Sequence, residues 1–189
     1  EMDDEAMEEG MMECEELTPV SLQLQWFTQS QFAGYYAAKD LGFYEKHCLD
    51  VTILEGAVEI VPQQVVASGE AEFGISWLPR MLASREQGAD LVSIGQVFQR
   101  SGTVQVAWAD RPELTEVENW AGQRVGTWGF GNEFEVFAAL RKAGIDPDDP
   151  DQVTIVQQPF DMSLLLNREI DVAQAETYNE YAMLLESIN

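Results

Sequence analysis

Basic side chains are scarce in this 189-residue chain: 10 lysines and arginines face 34 aspartates and glutamates, for a formal charge of −24. That balance excludes nucleic acid as a partner, because phosphate contacts need a basic face. Lysine occurs only as Lys39, Lys46 and Lys142. An acidic, lysine-poor surface fits a protein bathed in salt or lying outside the cytoplasm. Histidine occurs once, as His47 in YEKHCLD, where a surface or cap position is expected. No Ser/His/Asp order, paired metal ligands or CxxC appears, so hydrolytic, metal and redox catalysis lack a constellation, and no resident cofactor is expected. No apolar run is long enough to span a bilayer, and no signal peptide is visible.

Cysteine is nearly absent too. Cys14 and Cys48 make no framework. Cys48 is expected to pack as a small apolar residue; a disulfide between the two is the less supported alternative. Cys14 lies in EMDDEAMEEGMMECEE, which carries nine acids and no base. Such a block repels itself and reads as a solvated tail over residues 1–18. It fits a tether to an N-terminal membrane anchor as well as it fits an arbitrary end of the chain.

What is present is a core-forming composition, 46% hydrophobic, arranged as alternating strands and helices. Strands are predicted at 21–27, 49–55, 71–77, 91–99, 103–110, 124–129, 153–159 and 170–176. Helices are predicted at 32–47, 60–70, 78–88, 132–144 and 161–169, and a last one begins after Thr177, its expected N-cap. The 60–70 helix closes at Gly69; the 78–88 helix has Pro79 in its first turn and Gly88 as C-cap. This order predicts an α/β fold of parallel-rich sheets flanked by helices, in two lobes at 19–110 and 111–189 with a cleft between them and a hinge near Asp110–Pro112. The second lobe has three strands and stops in or just after a helix, so the chain is expected to be a fragment with that lobe truncated.

The stretch VGTWGFGNEF, residues 125–134, is the first candidate site. Its glycines fit neither GxGxxG nor GxxxxGK[ST]. Glu133 and Glu135 occupy the first helical turn, where a phosphate would otherwise take the free N–H groups. The loop offers Trp128, Phe130 and Phe134 as ring faces, Gly129 as a turn and Asn132 as a two-way hydrogen-bonding group. In open α/β sheets ligands sit beyond the carboxyl ends of strands. The same position holds Trp26, Gln29, Gln31 and Tyr35 after the first strand, Trp77 after the third, and Glu176, Tyr178 and Asn179 after the last. Any one of these is more often packing than site. Four strand ends carrying aromatic and amide side chains together favour a pocket for a flat, polar-edged molecule. The cluster DPDDPD, 146–151, lacks the spacing of a calcium loop and reads as a turn.

The phrases QFAGYYAAKDLGFYEKHCLDV, ILEG, PQQVVASGEAEFGIS and GQRVGTWGFGNEF, read together over about residues 20 to 186, resemble the sulfonate-binding and thiamine-pyrimidine-synthase-like superfamily. The resemblance implies a periplasmic-binding-protein type II fold and a solute-binding protein working with ABC permease subunits, extracytoplasmic and touching the membrane only through an anchor. Members usually have glycine where Cys48 stands, which implies a small local adjustment at that helix end. Pyrimidine synthases of the superfamily carry a cofactor-bearing lysine and a substrate histidine where Ser76 and Arg80 stand, and no Schiff base to pyridoxal phosphate forms without that lysine. The resemblance therefore implies a binding protein rather than an enzyme. Its ligand would be a heteroaromatic of the riboflavin or thiamine-precursor-pyrimidine type; a sulfonate or nitrate is the alternative, disfavoured by Glu133 and Glu176.

Overall fold

The computed structural model describes residues 14–187; residues 1–13 of the expected acidic tail lie outside them, whereas its last part is anchored, with Cys14 bonded to Cys48 and Thr18 opening the first strand. The chain divides into two compact units, one ending at Ser93 and the other starting at Ile94.

In the first unit, β1 (Thr18–Gln23) lies between β2 (Leu49–Leu54) and β3 (Phe73–Gly74) in a parallel sheet ordered β2-β1-β3. Its register runs from Thr18↔Leu49 to Gln23↔Leu54. Parallel neighbours need long crossovers, supplied by α1 (Ala33–Asp40) before β2 and α2 (Pro62–Ser68) before β3; α3 (Leu78–Glu86) follows β3. Helix α2 starts on Pro62 and ends on Gly69 at φ 79, the left-handed stop that glycine favours. Helix α3 has its proline in the first turn, but its C-cap is Gln87, one residue before Gly88. The predicted 32–47 helix is broken into α1 and two 3-10 turns, Ser30–Phe32 and Glu45–His47. Leu24, Phe32, Val51, Ala71 and Leu91 are buried.

Two expectations need correction. Residues 91–99, which run across the division between the units, form no strand: Val92, Ile94 and Val97 are exposed and neither sheet pairs with them. The cysteines are joined, Cys14 to Cys48 across a sequence separation of 34. Cys48 is thus a crosslink rather than packing, and it keeps the left-handed backbone, φ 61 and ψ 32, of the glycine the resemblance leads one to expect.

In the second unit the strand order is β4-β7-β5-β6: β4 (Thr103–Ala107), β5 (Arg124–Thr127), β6 (Thr154–Gln157) and β7 (Val172–Glu176). β5 is parallel to β6 and β7, whereas β4 is antiparallel to β7 from Thr103↔Glu176 to Ala107↔Val172. This pairing places 103–110 with the second unit, so the division falls earlier than the boundary expected at 110. The expected hinge lies inside the unit, where Arg168 binds Asp110 at 2.8 Å and Arg111 reaches Asp171 at 3.5 Å. Helices α4 (Phe134–Lys142), α5 (Ser163–Leu166) and α6 (Glu180–Ser187) complete it.

All five β7 residues are buried, and the three apolar ones divide between two apolar clusters. Val172 joins Leu114, Trp120, Val125, Val136 and Leu140, while Ala173 and Ala175 join Met162, Leu165, Ile170 and Leu184. The period of two along a strand puts those clusters on opposite faces, so this sheet is covered on both sides. Helix α6 begins at Glu180, three residues after the Thr177 expected as its cap. The DPDDPD segment is a turn closed by its own side chains, with Asp148 N–H on Asp146 and Gln152 on Asp149. Among the described residues no helix is long and apolar enough to cross a membrane.

Candidate functional site

The VGTWGFGNEF loop leaves the carboxyl end of β5. Three consecutive residues, Gly129, Phe130 and Gly131, have positive φ of 72, 54 and 89. The turn is closed at both feet. The Gly129 carbonyl accepts the Asn132 backbone N–H at 3.0 Å and its side-chain Nδ2 at 2.8 Å, while Gly131 N–H donates to the Glu133 carboxylate at 2.8 Å.

Below the loop lies a glutamine network inside the sheet. Gln174 Oε1 accepts from Thr127 Oγ1 at 2.9 Å and from the Trp128 N–H at 3.1 Å; its Nε2 donates to the Asn132 carbonyl at 2.8 Å. Gln158 meets the Gln174 backbone in turn, and it does so across Gly126, where a Cβ would fall 2.6 Å from Gln158 Oε1. Trp128 is 5% exposed, so its ring is buried, and its Nε1 has no partner among the described residues. Gly129 and Glu133 border an open depression of about 360 Å³, together with Thr127, Phe130, Phe137, Ile155 and Gln157.

At the carboxyl end of β7, Glu176 accepts a hydrogen bond from Thr103 Oγ1 on β4 at 2.9 Å, and the Tyr178 phenol bonds the same carboxylate. Burial first, then the charges of Glu180 and Glu135, push its pKa up to about 7. Burial also raises the Tyr178 phenol. The Tyr178 ring stacks on Phe98, centroids 6.3 Å apart and planes 16° apart. Its edge lies against Gly102, where a Cβ would fall 2.9 Å from Cε1. Asn179 is tied to the start of α6, donating to Glu180 Oε1 at 2.7 Å. The predicted residues of this unit thus form two groups, 128–133 and 176–179, at the carboxyl ends of adjacent parallel strands.

The predicted residues of the first unit also gather at strand ends. Gln31 Nε2 donates to Gln29 Oε1 at 2.8 Å, and Gln25 Nε2 reaches Gln31 Oε1 at 3.5 Å. Tyr35 packs beside Phe32, centroids 6.5 Å apart, and burial raises its phenol. Trp26 meets Phe27 edge-on at 5.3 Å. The loop after β2 closes over it: Gly56 N–H donates to the Trp26 carbonyl, and a Cβ on Gly56 would fall 2.4 Å from Trp26 N. Trp77 follows β3, which pairs directly with β1.

Pyridoxal phosphate would need an amine at Ser76. The hydroxyl there accepts from Gln63 Nε2 at 2.6 Å and donates to the Trp77 carbonyl at 3.2 Å. Lys39 is engaged with the Val51 carbonyl and Lys46 lies over the Phe43 ring. The residues present do not fit that cofactor, and no step is derived through it.

Sequence reasoning missed Gln158, Gln174, Gly126, Gly56 and Thr103. The signal for the glutamines is visible in VAQAE and VQQP: an amide inside a strand that is otherwise buried and apolar must find partners.

Residues 29–187 match the family model described as NMT1/THI5 like. A 4-amino-5-hydroxymethyl-2-methylpyrimidine phosphate synthase of Legionella pneumophila is 30% identical over 68% of this chain and 40% of its own length. A formylaminopyrimidine-binding protein of Halalkalibacterium halodurans is 25% identical over 90% of this chain and 51% of its own. The riboflavin-binding protein RibY of Chloroflexus aurantiacus is 28% identical over 89% and 48%. Among solved structures, the periplasmic aliphatic sulphonate binding protein SsuA of Escherichia coli superposes with a TM-score of 0.62 at 18% identity, covering 88% of this chain and 54% of that one. The chain spans about half or less of each relative's length, and its α/β fold is that of periplasmic substrate-binding proteins.

Proposed function

This chain belongs to the NMT1/THI5-like family, and on that premise we propose that it serves an ABC importer as an extracytoplasmic solute-binding protein for a flat heteroaromatic ligand, of the riboflavin or thiamine-precursor-pyrimidine type. The observation that carries the reading is the loop after β5. It presents a ring and amide groups, and Glu133 takes the backbone N–H that an anion would require. A sulfonate or nitrate is disfavoured on the same ground. The formylaminopyrimidine- and riboflavin-binding relatives support the ligand class. The Cys14–Cys48 bond supports an oxidising, extracytoplasmic location. Trp26, Gln29, Gln31, Tyr35, Trp77, Trp128, Gly129, Asn132, Glu133, Glu176, Tyr178 and Asn179 remain the proposed ligand residues, and ABC permease subunits the proposed partners.

One observation favours a second reading. The pyrimidine phosphate synthase relative is 30% identical, whereas Ser76 offers a hydroxyl in place of the amine such chemistry needs. Isothermal titration of the full-length protein with riboflavin, a formylaminopyrimidine and an alkyl sulfonate decides between the classes. Saturable binding of a ring compound with no sulfonate signal supports the proposal; no binding, together with a pyridoxal phosphate absorbance in the purified protein, overturns it in favour of the synthase.

A further inference from the structure

We propose that Phe130 contacts the ligand and sets its specificity, standing as an aromatic wall over the depression at the carboxyl ends of β5 and β6. The inference rests on the solute-binding reading above and deepens it.

Phe130 has φ 54, between glycines at 72 and 89. A side chain in this region is disfavoured, and glycine would adopt the same turn freely. The conformation persists because both feet of the turn are pinned, by the doubly accepting Gly129 carbonyl and by Gln174 on the Asn132 carbonyl. The fold therefore carries a backbone cost at this residue. It gets little back, since Phe130 is 67% exposed. A phenylalanine in a glycine conformation that receives so little packing from the described residues is an outlier, and such outliers gather where a ligand is gripped.

The surroundings say what the ring faces. Phe130 borders the 360 Å³ depression with Phe137 and Ile155 as apolar walls and Thr127, Glu133 and Gln157 as polar groups. That volume lies in the range of small-molecule pockets. Apolar walls with a carboxylate and an amide at the margin suit a flat ring whose edge carries N–H donors, not a phosphate or sulfonate. The ring of Phe130 supplies a face for stacking and lies on a turn hydrogen-bonded at both feet.

The test uses the full-length protein with riboflavin and a formylaminopyrimidine, titrated against wild type, Phe130→Gly, Phe130→Ala and Phe130→Trp. Losing the ring should weaken binding by roughly tenfold or more in the first two variants, while Phe130→Trp stays within about threefold and alters the preference between the two compounds. The ligand-free Phe130→Gly protein should melt at or above the wild-type temperature, because glycine removes the backbone cost. Wild-type affinity in Phe130→Gly overturns the inference alone. A fall in its melting temperature as large as that of a core truncation also overturns it, since the ring would then be a folding contact. A wild type that binds neither compound overturns the reading beneath it, and this inference with it.

Discussion

Gln158 and Gln174 are joined at both ends of one amide: Gln158 Nε2 donates to the Gln174 carbonyl and Gln158 Oε1 accepts the Gln174 N–H, each at 2.8 Å. A side chain from the end of β6 thereby completes a rung for β7, two strands away in the sheet, and Gly126 of β5 leaves the space for it. The Gln174 side chain then carries the loop that holds Trp128 and Asn132.

Gln158→Ala should destabilise the second unit by about 2–4 kcal/mol, because it strands a buried backbone donor and acceptor at once. Gly126→Ala should cost at least as much, since its Cβ would meet both Gln158 Oε1 and Ile170 Cδ1 at 2.6 Å. Urea denaturation of the two variants checks both; an unchanged midpoint in Gln158→Ala removes the rung from the account.

Acidity should act on this unit through two carboxylates of opposite sense. Burial lifts Glu176 to about 7, so its contribution is fully present below the ordinary glutamate range and is lost as pH rises through 7. The Arg124 hydrogen bond, against a partial burial effect, holds Asp171 low, so its contribution is present above the ordinary aspartate range and is lost as pH falls through its depressed value. Glu176→Gln should remove a decline on the order of 1–2 kcal/mol between about pH 5 and pH 8. Asp171→Asn should flatten part of the acid limb instead. Denaturation midpoints followed from about pH 2 to pH 8 check both: Glu176→Gln parallel to wild type above about pH 5, or Asp171→Asn parallel to it on the acid limb, would contradict the assignment.

Reduction of the Cys14–Cys48 bond frees a loop whose ends are 34 residues apart. Loop-closure entropy puts the loss at about 3–4 kcal/mol. The melting temperature should fall with a reductant and in Cys14→Ser, whereas Cys14→Ser should be indifferent to reductant.

Gly56→Ala should disturb Trp26, whose backbone nitrogen lies 2.4 Å from the added carbon. The prediction is a stability loss of about 1–3 kcal/mol together with weaker ring-compound binding, read from melting curves and titration of the same sample.

Much of this architecture was legible in the sequence. LDVTIL, PQQVVAS and FEVFAALRK became β2, α2 and α4 because composition and stop signals agree locally. The glycine–aromatic loop was legible as a strand-to-helix turn. Residues 91–99 have a strand's composition, yet pairing is a property of the neighbour, and β3 is only two residues long. The antiparallel β4 was hidden for the same reason: direction is set by which edge a strand finds, here that of β7. The cysteine pair was hidden because spacing along the chain does not fix distance through space. The glutamine rung was hidden because its meaning appears only once Gly126 stands between its ends.

The cysteine crosslink has a consequence for proteolysis. A single peptide-bond cut anywhere from Glu15 to His47 leaves two pieces held together as one covalent body. Nicking within the exposed stretch around Thr28 and Ser30 would therefore release nothing until a reductant is added, and β1 would stay tethered to the strand it pairs with.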